Sequence, residues 1–220
     1  MSLIVPGDPR PFPRKGSLEP RRVALLVIDM QKDFCLPGGY YDAIGGDPAR
    51  LCAVVPTIAR VLAAGRRAGL HIVHTRVGRR AEAIAGSDTP GKAERGPMGR
   101  HLVRGQEGWQ IHPQVAPAEG EPVIDKDATG AFHGTDLDGL LRRWDVGHVV
   151  ACGVTTAICV SSTVREARDR GYEVLVLGDA CAEGDEDSHR AALASFRLEN
   201  GFFATIATAE AFVAALEAAA

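Results

Sequence analysis

Six short apolar runs alternate with amphipathic helical patterns along this chain, and that alternation leaves few folds open to it. The runs are "VALLVID" (23–29), "LHIVHT" (70–75), "PVIDK" (122–126), "HVVAC" (148–152), "EVLVLGDA" (173–180) and "FFATI" (202–206). Continuously apolar strands between helices indicate a parallel sheet covered on both faces. The expected fold class is therefore α/β, three layers α/β/α, with a central, mostly parallel six-stranded sheet joined by right-handed crossovers, of the Rossmann-like kind. Asp47 is placed to cap the first long helix, with Pro48 at its first position and Gly69 past its end, and Pro56 should kink or split it. Further helices should start near Asp136, Cys159, Asp185 and Thr208.

One stretch breaks the alternation. Residues 76–121 are rich in Gly, Arg and Pro and have no period, and an irregular stretch of that length is usually functional or disordered. It reads as a lid or an inter-subunit arm over the site, or as an insertion with no set role. Residues 1–20 read as an N-terminal arm, and the 220 residues as one domain.

With a net charge of −3 and dispersed basic residues, nothing recommends a nucleic-acid or anionic-membrane partner, so a small molecule is expected. The N-terminus lacks an apolar signal core, and no run approaches about 18 consecutive apolar residues, so a soluble, cytoplasmic protein is expected. Five cysteines without a C-x-x-C pair argue against a disulfide framework and a structural zinc site. His71 and His74 flank a strand in no ligand pattern, and no metal is expected.

In open α/β sheets, ligands bind beyond the carboxyl ends of the strands. The first apolar run ends at Asp29 and the third at Lys126, while the fourth leads through Gly153 and Thr155 to Cys159. Each has an ordinary alternative: Asp29 as a turn residue, Lys126 as a solvated lysine, Cys159 as core filler. Together they supply what a cysteine nucleophile needs, namely a thiol at a helix N-terminus, a nearby cation and a proton acceptor. The strand is expected to stop at Gly153, so that the turn can aim the backbone N–H groups of 155–159 at an oxyanion.

The segments "ALLVIDMQKDFC", "VIDKDATGAF", "GVTTAICVSSTVREARDRGYEV" and "GDAC" resemble the isochorismatase-like cysteine hydrolase superfamily over about residues 23–216. What that resemblance implies is a catalytic Cys159, Asp29 and Lys126, a cis peptide between Val154 and Thr155, and an oxyanion held by the N–H groups of Thr155 and Cys159. The finer resemblance, carried by "DFCLPGGYYDAIGGD", "HTRVG", "GRHLVRGQEGW" and "REARDRGYE", is to the ureide-cleaving branch. Biuret hydrolases stand first there, with ureidoacrylate and N-carbamoylsarcosine amidohydrolases beside them. It implies a hydrolase that cleaves a C–N bond of a small ureido or carbamoyl compound through a thioester, with no cofactor, in a homo-oligomer, dimer or tetramer.

Arg76 and Glu199 are candidate substrate contacts, with Phe34 and Phe132 as candidate apolar walls. Where biuret hydrolases align a glutamine, Glu199 either favours a substrate with more donors or a cationic end, or is a solvated helix-end residue. Two other readings stay open: isochorismatase-type vinyl-ether hydrolysis, which would survive loss of Cys159, and a non-catalytic family member.

Overall fold

The computed structural model describes residues 3–80 and 101–219. Six strands, β1 (Val23–Ile28), β2 (His71–Val77), β3 (Val123–Lys126), β4 (His148–Val154), β5 (Glu173–Ala182) and β6 (Thr205–Ala207), form one sheet in the order β3-β2-β1-β4-β5-β6. Every neighbouring pair is parallel. Because the chain runs outward from β1 to β3 and then resumes at β4 on the other flank of β1, the strand order reverses between β1 and β4. A reversal of that kind opens a crevice at the carboxyl ends of the two strands.

Helices cover both faces. On one side α2 (Val55–Ala68) and α6 (Ala209–Ala219) pack Ile58, Val61, Leu62, Phe212 and Leu216 against Leu25 and Val27 of β1. On the other, α3 (Leu137–Arg143), α4 (Ser161–Asp169) and α5 (Glu186–Phe196) pack Leu141, Val164 and Phe196 near Ala24, Leu26 and Ile28. Alternate residues of one strand thus feed two cores, which is why β1 is apolar at every position and buried throughout.

The helix after β1 divides as its proline suggests. α1 (Pro48–Cys52) is capped by the Asp47 carboxylate, which accepts from the Ala49 N–H at 3.0 Å. α2 then restarts with Pro56 in its first turn and ends on Gly69 in the left-handed region. By length and composition, residues 48–68 pass as a membrane-crossing segment, which the sequence reading did not register. In the fold, Val55, Ile58, Val61 and Leu62 face the core.

Residues 3–18 are not a free arm. Leu3, Val5 and Phe12 are buried, and Asp8 forms a two-bond antiparallel bridge with Ile206, closing part of the β6 edge. At the opposite flank, Glu121 locks the approach to β3. Both of its carboxylate oxygens are 2.8 Å from the Arg66 guanidinium, the Ala118 N–H donates at 2.8 Å, and His74 stands at 3.3 Å. Burial pushes this carboxyl up, but the Arg66 fork, the amide and the histidine outweigh it and hold the group at about 2.

A depressed carboxyl stabilises the fold above its unfolded value and loses that contribution as pH falls from about 4.5 towards 2. Glu121→Gln is expected to cost about 1–3 kcal/mol near neutral pH. In urea titrations that gap from wild type should close steadily as the pH is lowered through this window.

Candidate active site

Three strand ends and one helical turn build the site. β1 stops at Ile28, and Asp29 follows with φ 51, a left-handed conformation that non-glycine residues rarely adopt and that functional sites concentrate. This turns its buried carboxylate towards the neighbouring strands. The Thr75 hydroxyl of β2 donates to Asp29 Oδ1 at 2.6 Å and accepts from the Asp29 N–H at 3.2 Å. Lys126, at the end of β3, reaches across β2 and sets its ammonium 2.7 Å from Asp29 Oδ2, with both side chains fully buried. Its other two protons go to the carbonyls of Ala128 and Thr129, at 3.0 and 2.9 Å. Burial works against that charge, but Asp29 and then Cys159 outweigh it, so the lysine is held above its ordinary value and stays an ammonium.

The fourth strand behaves differently from its sequence reading. β4 does not stop at Gly153 but runs through it to Val154. Gly153 has φ 119, and a Cβ there would lie 2.1 Å from the Ile28 carbonyl oxygen, so only glycine lets β4 press this closely on the end of β1. Nor does the next helix begin at the cysteine. It starts at Thr156 with a π-turn, Thr156–Val160, that leads into α4 and places Cys159 in its fourth position. Single π-turns of this kind are frequent at functional sites. The Val154–Thr155 peptide is cis.

Several contacts fix this turn. The Thr156 hydroxyl is 2.9 Å from His189 Nδ1, Glu183 Oε2 accepts from the Ala157 N–H at 2.8 Å, and the Thr163 hydroxyl donates to the Cys159 carbonyl at 2.7 Å. The 130–132 loop is strapped to α4 as well, because Thr163 accepts from the Ala131 N–H and Glu166 from the Phe132 N–H.

Cys159 is 7% exposed and interacts directly with both members of the ion pair. Burial first, and the Asp29 carboxylate second, push its thiol well up, and the lysine only partly offsets them. At rest the sulfur is therefore a protonated thiol between a carboxylate and an ammonium. A polarisable nucleophile, a proton acceptor and a fixed cation in contact suit addition of sulfur to a polarised carbonyl carbon.

The thiol opens on a cavity of about 480 Å³. Its walls include Phe34, Tyr40, Tyr41 and Ile158, with Arg79, His101 and Glu183 among the polar residues. Of the candidate contacts, only Phe34 lines this space. Arg76 lies in β2 rather than in the insertion, because the strand continues to Val77. Its guanidinium bonds Asp125 at 2.8 Å and stacks 3.6 Å over the Trp109 ring, which commits it to the sheet edge. Phe132 is 4% exposed and stacks on Tyr172 beneath α4. Glu199 is exposed in a left-handed turn at 198–201 and does not line the cavity. The two tyrosines and His101 carried no periodic signal; the only hint was the density of aromatics and glycines in "LPGGYY".

Of the 76–121 stretch expected as a lid or arm, residues 81–100 lie outside the described ones. Residues 101–112 are docked beside the site by two buried side chains that follow β1. Gln31 bonds the Val77 and Trp109 carbonyls and the Val77 N–H, and Asp33 accepts from the Leu102 N–H at 2.6 Å. Among the described residues no group of three or more His, Cys, Asp or Glu is placed to hold a metal. His71 stacks on Trp144, and His74 faces Glu121.

Comparison with known proteins gives the family. Residues 23–211 match the family model of the isochorismatase domain. The ureidoacrylate amidohydrolase RutB of Methylobacterium radiotolerans is 32% identical over 97% of this chain and 85% of its own length. Among solved structures, a cysteine hydrolase from Pseudomonas syringae pv. phaseolicola superposes with a TM-score of 0.81 at 29% identity, over 92% of this chain and 96% of that one. The N-carbamoylsarcosine amidase of Thermoplasma acidophilum does so at 0.68 and 27%, over 86% and 97%. The family model spans most of the chain and the relatives cover nearly all of it, so the chain belongs to the isochorismatase family of hydrolases.

Proposed function

We propose that this protein is a cysteine-dependent amidohydrolase that cleaves a C–N bond of a small ureido or carbamoyl compound and releases ammonia. The observation that carries the reading is the contact of the buried Cys159 thiol with both members of the Lys126–Asp29 pair. The named activities of the relatives, ureidoacrylate amidohydrolase and N-carbamoylsarcosine amidase, support it.

In the proposed cycle the thiol proton passes to Asp29 as sulfur bonds to the ureido carbonyl carbon, and the carbonyl oxygen becomes an oxyanion. The backbone N–H groups of Thr155 and Cys159 receive that charge, and each such donor is worth about 10²–10³ in rate. Lys126 offsets the negative charge moving between carboxylate, sulfur and oxygen. Asp29 then returns the proton to the departing nitrogen as the C–N bond breaks, leaving a carbamoyl thioester and free ammonia. Water adds to the thioester with Asp29 as base, the C–S bond breaks, and the sulfur regains its proton. Every step uses groups of this chain and water.

The experiment is ammonia release from a panel of biuret, triuret, ureidoacrylate, N-carbamoyl amino acids, nicotinamide and simple amides. Turnover is expected for one or more ureido compounds and not for simple alkyl amides. A panel on which only the simple amides react would overturn the ureido assignment.

A further inference from the structure

The cavity wall carries an orienting device that the thioester cycle leaves unused. His101 lines the cavity, and its Nδ1 is 3.2 Å from Asp33 Oδ1. Asp33 is 3% exposed and fixed on several sides. Its Oδ2 accepts from the Leu102 N–H at 2.6 Å, its own N–H donates to the Gly108 carbonyl at 2.7 Å, and a Cβ on Gly108 would lie 2.2 Å from Oδ1. Leu102, next to the histidine, has φ 54, a strained conformation for a leucine that Asp33 holds in place. A ring nitrogen facing a carboxylate carries the proton, so in the neutral ring the remaining nitrogen, Nε2, is an acceptor.

The Asp33 carboxylate stands behind this ring, and the cavity wall carries both signs of charge, Asp127 and Glu183 with Arg79. The two acids are already engaged. Asp127 pairs with Arg104 at 3.0 Å, and the two oxygens of Glu183 take the N–H groups of Ala157 and Gly184. At Nε2 itself, an acceptor backed by a buried carboxylate fits an N–H donor better than an acid oxygen.

We propose that His101 reads the far end of the substrate: Nε2 accepts a hydrogen bond from an N–H of a neutral second carboxamide or carbamoyl group, and Asp33 is the positioning residue that aims it. The inference rests on the amidohydrolase reading and narrows it to ureides whose distal group is an amide rather than an acid.

A matched pair tests this, N-carbamoylglycinamide against N-carbamoylglycine, with ureido cleavage followed by product mass. Wild type should favour the amide by about 10–100-fold in kcat/KM, the scale of one hydrogen-bond mismatch in a closed site. His101→Phe should bring that preference within about threefold, and His101→Gln, which restores an acceptor, should recover part of it. Asp33→Asn should lower the preference as His101→Phe does, and the double variant should be no worse than either single one. A merely structural Asp33 would lower activity on both compounds and leave their ratio alone.

A second readout does not depend on turnover: the rates at which 3-maleimidopropanamide and 3-maleimidopropionate label Cys159, with Cys159→Ser as background. The amide reagent should be faster in wild type, and the advantage should shrink in His101→Phe. Equal handling of amide and acid, preference for the acid, or a preference unchanged by His101→Phe overturns the proposal. If wild type cleaves neither compound, the amidohydrolase reading fails for them, and the labelling ratio alone decides the role of His101.

Discussion

Cys159→Ala is expected to abolish ureido turnover, by about 10⁴-fold or more, while the protein keeps its fold. The side chain removed is small and sits at the cavity wall. Its backbone stays anchored, because the Cys159 carbonyl accepts from Thr163 and the Val160 N–H donates to the Thr155 carbonyl. The loss would therefore be chemical. No other cysteine takes over: none of Cys35, Cys52, Cys152 and Cys181 lines the cavity, and burial pushes the thiols of Cys35, Cys152 and Cys181 up. The measurement is ammonia release under single-turnover conditions beside thermal unfolding of the same sample. Activity retained within tenfold would favour vinyl-ether hydrolysis or another route that needs no thiol.

Asp29→Asn should be nearly as damaging to rate, about 10³–10⁵-fold, because asparagine cannot take the proton from sulfur. It should also destabilise the protein. Lys126 and Asp29 are both fully buried, and removing one partner strands the other's charge at a cost of about 3–5 kcal/mol. Two backbone carbonyls still hold the ammonium, which puts this case at the lower end. Lys126→Met should act in the same direction, stranding the carboxylate with only the neutral Thr75 hydroxyl and Cys159 thiol beside it.

The double variant Asp29→Asn/Lys126→Met removes both charges of the pair and strands neither, so it should regain most of the stability and none of the activity. That opposition between stability and rate separates a catalytic ion pair from a structural one. Urea unfolding and kcat/KM on the same three variants supply both halves. A double variant less stable than either single one would show that the pair is mainly a structural element.

The sheet was legible because its central strands are buried on both faces, so that no polar residue interrupts Val23–Ile28 or Val149–Cys152. For the same reason the polar residues that end those runs stood out. Asp29 and Lys126 could be placed at one edge of the sheet before any coordinates. Cys159 was placed less accurately, since a π-turn is a hydrogen-bonding choice with no periodic signature, and the helix start was misread by three residues.

Gly153 was seen, but its role was misassigned. A glycine that ends a strand and one that admits a neighbouring backbone look alike in a sequence. The cavity walls were the least legible. Tyr40, Tyr41, His101 and Glu183 come from turns and strand ends, where only long-range contacts decide what faces inward. Glu199 and Arg76 were named as substrate contacts on sequence alone. Sequence does not reveal that Trp109 and Asp125 already occupy the arginine.

The bridge between Asp8 and Ile206 joins positions nearly the whole sequence apart, and it lies on the last strand of the sheet. Contacts of such high sequence separation must recover a large loop-closure entropy before they contribute, and they slow folding. β6 consequently presents an unpaired edge until two distant parts of the chain meet. During synthesis Leu3, Val5 and Phe12 would wait exposed for a strand that leaves the ribosome long after them. In this protein the edge that the finished fold covers is therefore the place where a growing chain is most open to pairing with a neighbour.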